Sequence, residues 1–345
     1  MSERVQSQSG SYRMPAEWEP HQACLMAWPT RTELWGGHFE QAKRDYAATA
    51  NAIARFEPVL MATNPGQAGE VRELCDQGVE VLEVSIDDSW ARDSGPIMVQ
   101  TGDGEVAGVD FRFNSWGERF KPYDKDAAMS AGVLEHIGID RIPSEMVLEG
   151  GAITVDGEGT LITTEQCLLN PNRNPGMSRE EIEAELRDKL GVEKIIWLPW
   201  GHAEDDHTDG HVDGVCAYVR PGVVISQTYS DPDGPNHDLM AANLEILRNS
   251  TDVAGRKIEV IELPLWPYFD FDGGPMTVAY ANMYVANGGV IVPLADHPFD
   301  EEALELIQGA FPDREVVGVP GRVVSYGGGG PHCITQQIPA SGTAS

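Results

Sequence analysis

The stretch Glu149-Gly-Gly-Ala-Ile-Thr-Val155, which continues through Gly157-Glu-Gly159 to Thr160-Leu-Ile-Thr-Thr164, decides the fold. A polar residue opens a short strand-forming run, a glycine turn follows, and a second strand-forming run completes the pair. The same order recurs at Asp93–Phe113, His211–Gln227 and Asn282–Pro293. Helix-like sequence follows each pair, and then another strand-forming run. The chain is therefore predicted to repeat one strand-strand-helix-strand module.

The modules recur at a spacing of roughly 55 to 70 residues, which is too irregular for a solenoid and fits radial repetition around an axis. The opening residues of the modules would then point inward and converge: Asp93, Glu149, His211, Asp213, Asn282 and Cys333. The last strand would pair with Cys24–Trp28 and close the ring. Alternating strands and helices also permit an open α/β sheet, but the repetition favours the ring.

Flexible segments are expected at both ends of the chain, because residues 1–13 are polar and residues 339–345 are small or polar. Residues 14–338 are predicted to form a single catalytic domain between them. The length of 345 residues allows a substantial core.

Acidic residues dominate the charge of the chain. Lys and Arg number 24 against 55 Asp and Glu, so the formal net charge is −31 at pH 7. The negative charge is spread along the chain and repels nucleic acid and anionic membrane surfaces. A small cationic substrate would suit this field, and the charge serves solubility equally well.

The five cysteines are widely spaced and form no CxxC or zinc-finger pattern: Cys24, Cys75, Cys167, Cys216 and Cys333. An odd, scattered set argues against a disulfide framework or a structural zinc site, and favours reduced thiols. The sequence has no run of about 18 apolar residues and no apolar N-terminal segment of the secretory kind. We predict a cytoplasmic protein with no membrane association.

A glycine run carries the candidate nucleophile, in Tyr326-Gly-Gly-Gly-Gly-Pro-His-Cys-Ile-Thr-Gln-Gln337. Glycines let another molecule approach the backbone closely. A cysteine becomes a nucleophile as the thiolate, which an imidazole, a cation or backbone N–H groups can stabilise. This stretch alone fits a flexible tail with one ordinary buried cysteine equally well, so the partners of Cys333 decide its interpretation.

The predicted partners of Cys333 each have a separate task on a guanidinium group. Carboxylates hold this planar cation through paired hydrogen bonds. Cys333 would attack the central carbon, while His211 would protonate the leaving nitrogen and later activate water. Asp213 or Glu149 would orient the imidazole, and the bound cation would stabilise the thiolate.

Several stretches resemble the agmatine deiminases, which belong to the bacterial-type peptidylarginine deiminase family of guanidino-group-modifying enzymes. They are Met14–His21, Met26–Pro29, Trp90–Pro96, Leu148–Gly151, Asn170–Asn174, Gly210–Asp213 and Gly327–Gln337. The resemblance covers nearly the whole chain. It implies an α+β fold, a five-bladed ββαβ propeller of the pentein (amidinotransferase-like) type, with no cofactor and no metal.

The resemblance also implies an activity and roles for residues. The reaction would be hydrolysis of agmatine to N-carbamoylputrescine and ammonia through a covalent amidino-cysteine intermediate, within arginine metabolism and polyamine (putrescine) biosynthesis. Cys333 would be the nucleophile and His211 the general acid and base. Asp93 and Asp213 would hold the guanidinium, and Glu149 would support both the histidine and the guanidinium. A homodimer is also suggested.

Two more residues are expected to contact the substrate. Trp90 would line the pocket, and Gly330 would belong to the wall beside Cys333. The chain departs from the family pattern here, because Gly330-Pro331 stands where Asn-Ile is common. It departs again before the motif histidine, where His207 and Thr208-Asp-Gly210 replace an acidic residue and Thr-Asn-Gly. These departures leave recognition of the substrate's tail open.

The individual residues also have structural interpretations. Asp93 could cap a turn, Glu149-Gly-Gly could be a hairpin feature, and Trp90 could be core. Arg92 is expected to be a structural ion-pair partner, and the cysteines other than Cys333 are expected to be packing residues.

Rival functions remain open at this point. Among enzymes they are deimination of free or peptide-terminal arginine or of another guanidino compound, and amidino transfer to an amine. A metallohydrolase would use the segment from His202 to Asp213, where His207 and His211 have the spacing of one helix face. A polyamine-binding protein without catalysis would make Cys333 dispensable.

Overall fold

The computed structural model describes residues 12–229 and 231–342. Its strands are β1 (His21–Ala27), β2 (Val59–Thr63), β3 (Val79–Glu83), β4 (Ile97–Gln100), β5 (Val106–Arg112), β6 (Asp140–Val147), β7 (Ile153–Val155), β8 (Thr160–Thr164), β9 (Lys194–Leu198), β10 (Cys216–Arg220), β11 (Val223–Gln227), β12 (Glu259–Leu263), β13 (Phe269–Phe271), β14 (Gly274–Met276), β15 (Tyr284–Ala286), β16 (Gly289–Leu294), β17 (Glu315–Pro320) and β18 (Thr335–Pro339). Its α-helices are α1 (Thr32–Trp35), α2 (Phe39–Ala54), α3 (Ala68–Leu74), α4 (Ala91–Ser94), α5 (Ser115–Glu118), α6 (Met129–Ile137), α7 (Glu165–Leu168), α8 (Arg179–Leu190), α9 (His237–Asn249), α10 (Asp300–Ala310) and α11 (Arg322–Tyr326).

The fold is a mixed α/β arrangement in which one pairing pattern recurs. Each of the four three-stranded sheets of the described chain contains one antiparallel pair, β4-β5, β7-β8, β10-β11 or β15-β16. The second strand of each pair then lies parallel to a third strand, β6, β9, β12 or β17. A parallel partner needs a crossover, and α6, α8, α9 and α10 lie in these crossovers. The predicted strand-strand-helix-strand module is therefore confirmed.

The first and last strands of the described chain share a fifth sheet, in the order β18-β1-β2-β3. β18 runs antiparallel to β1, with Cys24 opposite Gln337 and Met26 opposite Thr335. The predicted pairing of the last strand with residues 24–28 is confirmed. Cys333, two residues before β18, is held by this pairing at the end of the sheet.

Helix α8 illustrates how a sheet is covered. The Ser178 hydroxyl accepts a hydrogen bond from the third helical residue, whose side chain accepts from the Ser178 N–H in return. Ile182, Leu186 and Leu190 recur at four-residue spacing, so they lie on one face and are buried in a common core. Each such side chain contributes about 1.5–3 kcal/mol on burial. Gly191, at φ 69°, ends the helix in the left-handed conformation.

A short helical turn precedes the first strand in three of the modules. The turns are α4 and two 3-10 turns, Gly150–Ala152 and Val212–Gly214. The sequence patterns predict that each polar residue leads directly into its strand. The structure instead inserts a turn, closed by a backbone hydrogen bond such as that from the Gly95 N–H to the Ala91 carbonyl (3.0 Å). The polar side chains are thereby carried to the ends of the strands.

The ordered chain extends slightly beyond the predicted 14–338. The Arg13 N–H donates to the Gln100 carbonyl (2.9 Å), and the Gly342 N–H donates to the Gly104 carbonyl (2.8 Å). Backbone pairing with the β4-β5 hairpin therefore orders part of both segments that were expected to be flexible. Residues 1–11 and 343–345 of those segments lie outside the described residues. No helix in the described chain is both long and apolar enough to cross a bilayer.

Candidate active site

The helical turns bring polar side chains from three modules to one point. Asp93 lies in α4, and Glu149 and His211 immediately precede the two 3-10 turns. His211 Nδ1 is 3.8 Å from Asp93 Oδ1, and His211 Nε2 is 3.8 Å from Glu149 Oε2. Gly151 lies between them, and a Cβ there would come within 2.5 Å of His211 Nδ1 and 3.0 Å of Asp213 Oδ2. Only glycine allows this close approach.

Cys333 reaches the same point from the glycine run. Its Sγ lies 3.1 Å from Asn282 Nδ2 and 3.5 Å from Asp213 Oδ2. Gly329 packs directly on it, since a Cβ there would lie 2.9 Å from Sγ and 2.6 Å from the Trp90 ring. The absence of a side chain at Gly329 therefore leaves space beside the sulfur.

A cleft of about 530 Å³ is lined by His211, Asp213, Asn282 and Cys333 among others. Its acidic lining residues are Glu204, Asp205, Asp206 and Asp213. No arginine or lysine of the described chain lines it. A narrow pocket of about 10 Å³ shares Cys333 with the cleft and is lined by Trp90, Asp93, Trp116 and Phe120 among others. The site thus pairs a thiol with an acidic, partly aromatic surface.

His211 is positively charged in its surroundings. Burial alone would lower the pKa of His211, but Asp93, Cys167 and Glu149 outweigh it and raise the pKa well above its usual range. Both ring nitrogens and Glu149 Oε2 are buried and lack a hydrogen-bond partner among the described residues. The imidazolium can therefore donate a proton to a group that enters the site.

Cys333 is a protonated thiol in the unliganded site. Burial raises the pKa of Cys333, and the Asp213 and Asp93 carboxylates raise it further, to well above its usual range. A cation bound between these carboxylates would reverse their effect and favour the thiolate. The geometry therefore couples ionisation of the Cys333 thiol to the binding of a cation.

Asp93 differs from Glu149 and Asp213 because its pKa is raised and theirs are lowered. Burial raises the pKa of Asp93 to about 6, although the charge of His211 lowers it. Two donors hold its oxygens: the Trp116 indole N–H (3.0 Å) and the Gly151 backbone N–H (3.1 Å). Asp93 is therefore fixed in position and incompletely compensated in charge.

A buried arginine, Arg173, keeps Glu149 ionised. Arg173 Nε lies 2.6 Å from Glu149 Oε1, and both side chains are fully buried. Burial would raise the pKa of Glu149, but Arg173 and His211 outweigh it and lower the pKa. Arg173 also binds Asp209 Oδ2 (2.8 Å) and the Thr208 carbonyl (2.9 Å). The arginine of the Asn170–Asn174 motif thus links Glu149 to the loop before His211.

Behind the thiol, His332 Nδ1 lies 2.8 Å from Asp213 Oδ2, and Nε2 lies 2.9 Å from Glu17 Oε2. Arg92 Nη2 reaches the same Glu17 oxygen at 3.3 Å. The prediction that Arg92 is a structural ion-pair partner is confirmed.

Some expected site residues are placed differently. Gly330 lines neither cavity and packs on Asn282 instead, where a Cβ would come within 2.6 Å of Oδ1. The wall beside Cys333 is formed by Gly328 and Gly329. His207 does line the cleft, and burial lowers its pKa, so it carries no charge at neutral pH.

The sequence patterns miss several members of the site. Asn282 is expected to converge with the others but receives no role, although it contacts the sulfur. No sequence pattern assigns Trp116 or Arg173 to the site, although Arg173 lies within the Asn170–Asn174 motif. Cys167, expected to be a packing residue, is buried and raises the pKa of His211.

The histidine-rich segment does not form a metal-binding helix. Residues 199–210 contain neither helix nor strand, so His207 and His211 do not share a helix face. Within residues 12–229 and 231–342, one group of metal-ligating side chains is close enough to hold an ion: Glu149, Cys167 and His211. Of the segment from His202 to Asp213, only His211 belongs to this group.

A cysteine, an imidazolium and opposed carboxylates lie around one cleft, and this set of groups is typical of the class of enzymes that use a thiol on a cationic substrate. The profile of the Porphyromonas-type peptidyl-arginine deiminase family matches residues 13–339. The chain belongs to this family. The resemblance found in the motifs is thereby confirmed.

Individual relatives point in the same direction. An agmatine deiminase of Pseudomonas aeruginosa (strain LESB58) is 46% identical, covering 95% of this chain and 96% of its own. The solved agmatine deiminase of Enterococcus faecalis superposes with a TM-score of 0.92 at 36% identity, over 96% of this chain and 97% of its own. A C. jejuni agmatine deiminase with substrate bound gives 0.89 at 25% identity, over 98% and 99%.

Proposed function

We propose that this protein is an agmatine deiminase, which hydrolyses agmatine to N-carbamoylputrescine and ammonia. The observation that carries the proposal is the position of the Cys333 sulfur, 3.5 Å from Asp213 at the end of an acidic cleft. A relative that is 46% identical over nearly the whole chain bears this name. A thiol among carboxylates suits a substrate that is both an electrophile and a cation.

In the first half of the reaction, Asp93 and Asp213 hold the guanidinium beside Cys333. The substrate's charge favours the thiolate, and the thiol proton leaves to water in the cleft. The sulfur attacks the guanidinium carbon to form a C–S bond. His211 then donates its proton to one nitrogen, the C–N bond breaks, and ammonia departs. An amidino group remains on the sulfur.

In the second half, neutral His211 takes a proton from water, and the oxygen attacks the amidino carbon. The C–S bond breaks and the urea product forms, while the proton it releases restores the thiol. Glu149 favours the charged form of the imidazole in each half, because its ionised oxygen lies 3.8 Å from Nε2. Trp90 closes the pocket around the reacting group.

The lining of the cleft favours agmatine over free or peptide-terminal arginine. An α-carboxylate needs a cationic partner, and the described residues that line the cleft include no arginine or lysine. Glu204 and Asp205 line it instead. Burial would raise the pKa of both, but hydrogen bonds and nearby histidines lower it to about 2. These ionised groups favour an ammonium tail.

The test is ammonia release from agmatine, arginine, a peptide ending in arginine and other guanidino compounds, with chelator present throughout. We expect release from agmatine by the wild type and none by Cys333→Ala. Cys75→Ala is the matched control, since Cys75 lies at the end of α3 and lines neither cavity. Activity that persists in Cys333→Ala, or that chelator abolishes, would contradict the thiol mechanism.

We further infer that the four three-stranded sheets and the β18-β1-β2-β3 sheet are the blades of a five-bladed ββαβ propeller, and that residues 14–338 form a single catalytic domain. The recurring pairing pattern and the β1-β18 pair support both. The net charge supports a cytoplasmic protein that avoids nucleic acid and membranes. A homodimer is proposed from the family resemblance, and light scattering in solution tests it.

A further inference from the structure

His332 lies between two carboxylates directly behind the nucleophile. Nδ1 faces Asp213 at 2.8 Å and Nε2 faces Glu17 at 2.9 Å. The Asp213 oxygen that His332 contacts is also the one 3.5 Å from Cys333 Sγ. Glu17 belongs to the segment before β1, so this contact connects the start of the chain to the catalytic end through one imidazole.

The charged groups around His332 balance only when the imidazole is protonated. The groups that face it are Asp213, Glu17 and Arg92, with the neutral Cys333 thiol next in the chain. Arg92 binds Glu17 at 3.3 Å and donates from Nε to the His332 carbonyl at 3.1 Å. Two carboxylates therefore face one arginine, and an imidazolium supplies the second positive charge.

We propose that His332 is a positioning residue for deimination: as an imidazolium held between Glu17 and Asp213, it keeps Asp213 ionised and aimed at the guanidinium. This inference rests on the proposed function. Both ring nitrogens must donate to carboxylates in this arrangement, and only the protonated ring has two donors. An imidazole with one proton would leave a lone pair facing a carboxylate oxygen, which is repulsive.

The pKa shifts agree with this geometry. Burial and Arg92 lower the pKa of His332, but Glu17 and Asp213 outweigh them and raise it. Burial alone would raise the pKa of Asp213, but His332, followed by His211 and Arg92, outweighs burial and lowers the pKa. The pKa of Glu17 is lowered to about 2 by His332 and Arg92 in spite of its burial.

His332→Asn tests the role, because asparagine keeps an N–H toward Asp213 and removes the charge. The pKa of Asp213 then rises, and a protonated Asp213 cannot hold a cation. In the wild type the acid limb of kcat/KM for agmatine follows Asp93, whose pKa is about 6. Without the charge of His332, burial is expected to raise the pKa of Asp213 past that of Asp93, which moves the limb up by about one pH unit, a loss of about tenfold on that limb. KM should rise more than kcat falls, because binding of the cation is affected first.

The matched control is His21→Asn. His21 is also buried against a carboxylate, Glu57 at 3.1 Å, but lines neither cavity. Its pH profile should follow the wild type even if its stability falls. An unchanged acid limb in folded His332→Asn, or the same shift in His21→Asn, would overturn the inference.

A second readout does not depend on activity. Nitrogen NMR of the histidine rings, assigned by the signals that His332→Asn loses, should show that His332 keeps both ring protons at pH values above the ordinary histidine pKa of about 6.5. In Glu17→Gln, His332 should lose its proton at a lower pH. A wild type that deiminates agmatine with a neutral His332 would overturn this inference alone. A wild type that is inert toward agmatine would overturn the proposed function and the positioning role with it, whatever the charge of His332.

Discussion

Replacing Trp116 by phenylalanine would test the electrostatic account of Asp93. The Trp116 indole N–H donates to Asp93 Oδ2 at 3.0 Å, and both side chains are buried. Burial has already raised the pKa of Asp93 to about 6. Phenylalanine keeps most of the aromatic packing and removes the donor. Because the lost bond favoured the ionised carboxylate, the pKa of Asp93 should rise further.

The size of the effect follows from the strength of that bond. A hydrogen bond to a charged group contributes about 1.5–3 kcal/mol, and about 1.4 kcal/mol corresponds to one pKa unit. The pKa of Asp93 should therefore rise by about one to two units, to about 7–8. At pH 7 the ionised fraction would fall from about nine-tenths to between about a half and a tenth. The resulting loss in kcat/KM is about two- to tenfold.

The assay is the pH profile of kcat/KM for agmatine deimination by Trp116→Phe. The acid limb should move upward while the values at alkaline pH converge on the wild type. Trp35→Phe is the matched control, because Trp35 is equally buried and its indole N–H has no hydrogen-bond partner among the described residues. A profile that falls by the same factor at every pH would refute the reasoning, since it would indicate misplacement of the substrate and not titration.

Arg173→Met should lower the free energy of unfolding in urea by about 3–5 kcal/mol, because it leaves the buried Glu149 charge unpaired; a loss below about 1 kcal/mol would mean that Glu149 is neutral. Gly329→Ala should lower kcat/KM by about a hundredfold, because its Cβ would displace the sulfur. Gly309→Ala, where nothing lies within 4 Å, should keep full activity. Without substrate, the ultraviolet absorbance of the Cys333 thiolate, measured against Cys333→Ala, should stay absent below about pH 9 because the pKa of Cys333 is raised. Thiolate absorbance below that pH would contradict the raised pKa.

The modules could be predicted because their signals are local. Residues 93–113 and 149–164 each carry a polar opening, two strand-forming runs and a glycine turn within a short window. Antiparallel pairing across such a turn needs no distant information. The helical turn before the first strand of three modules has no such local signal, because Gly150-Gly151 fits either a turn or a hairpin.

Other parts of the site depend on contacts between distant residues, which leave no local pattern. Glu17 contacts His332, although the two residues are 315 positions apart in the sequence. Trp116 reaches Asp93 because residues 115–118 all have positive φ, and only Gly117 among them favours that conformation. Such a backbone is set by its surroundings, including the Asn114 side chain that accepts from the Gly117 N–H at 2.9 Å.

The buried charges of the site are compensated in pairs. Glu149 has Arg173 at 2.6 Å, and Asp213 has His332 at 2.8 Å. In both pairs the partner, together with His211, outweighs the burial that would otherwise raise the pKa of the carboxylate. Pairing of this kind allows two carboxylates to remain ionised in a buried site, where an unpaired one would take up a proton.

Asp93 has no such close cationic partner among the described residues, and this missing charge indicates that the site binds a cation. Its nearest cation is His211 at 3.8 Å, and its pKa stays raised to about 6. Under the proposed function, a guanidinium bound beside Asp93 would supply the missing positive charge, so that substrate binding would lower the cost of ionising Asp93 and of forming the thiolate together. The urea product carries no charge at its reacting end and cannot do either. The uncompensated negative charge that favours binding of the cationic substrate therefore does not favour binding of the product once ammonia has left.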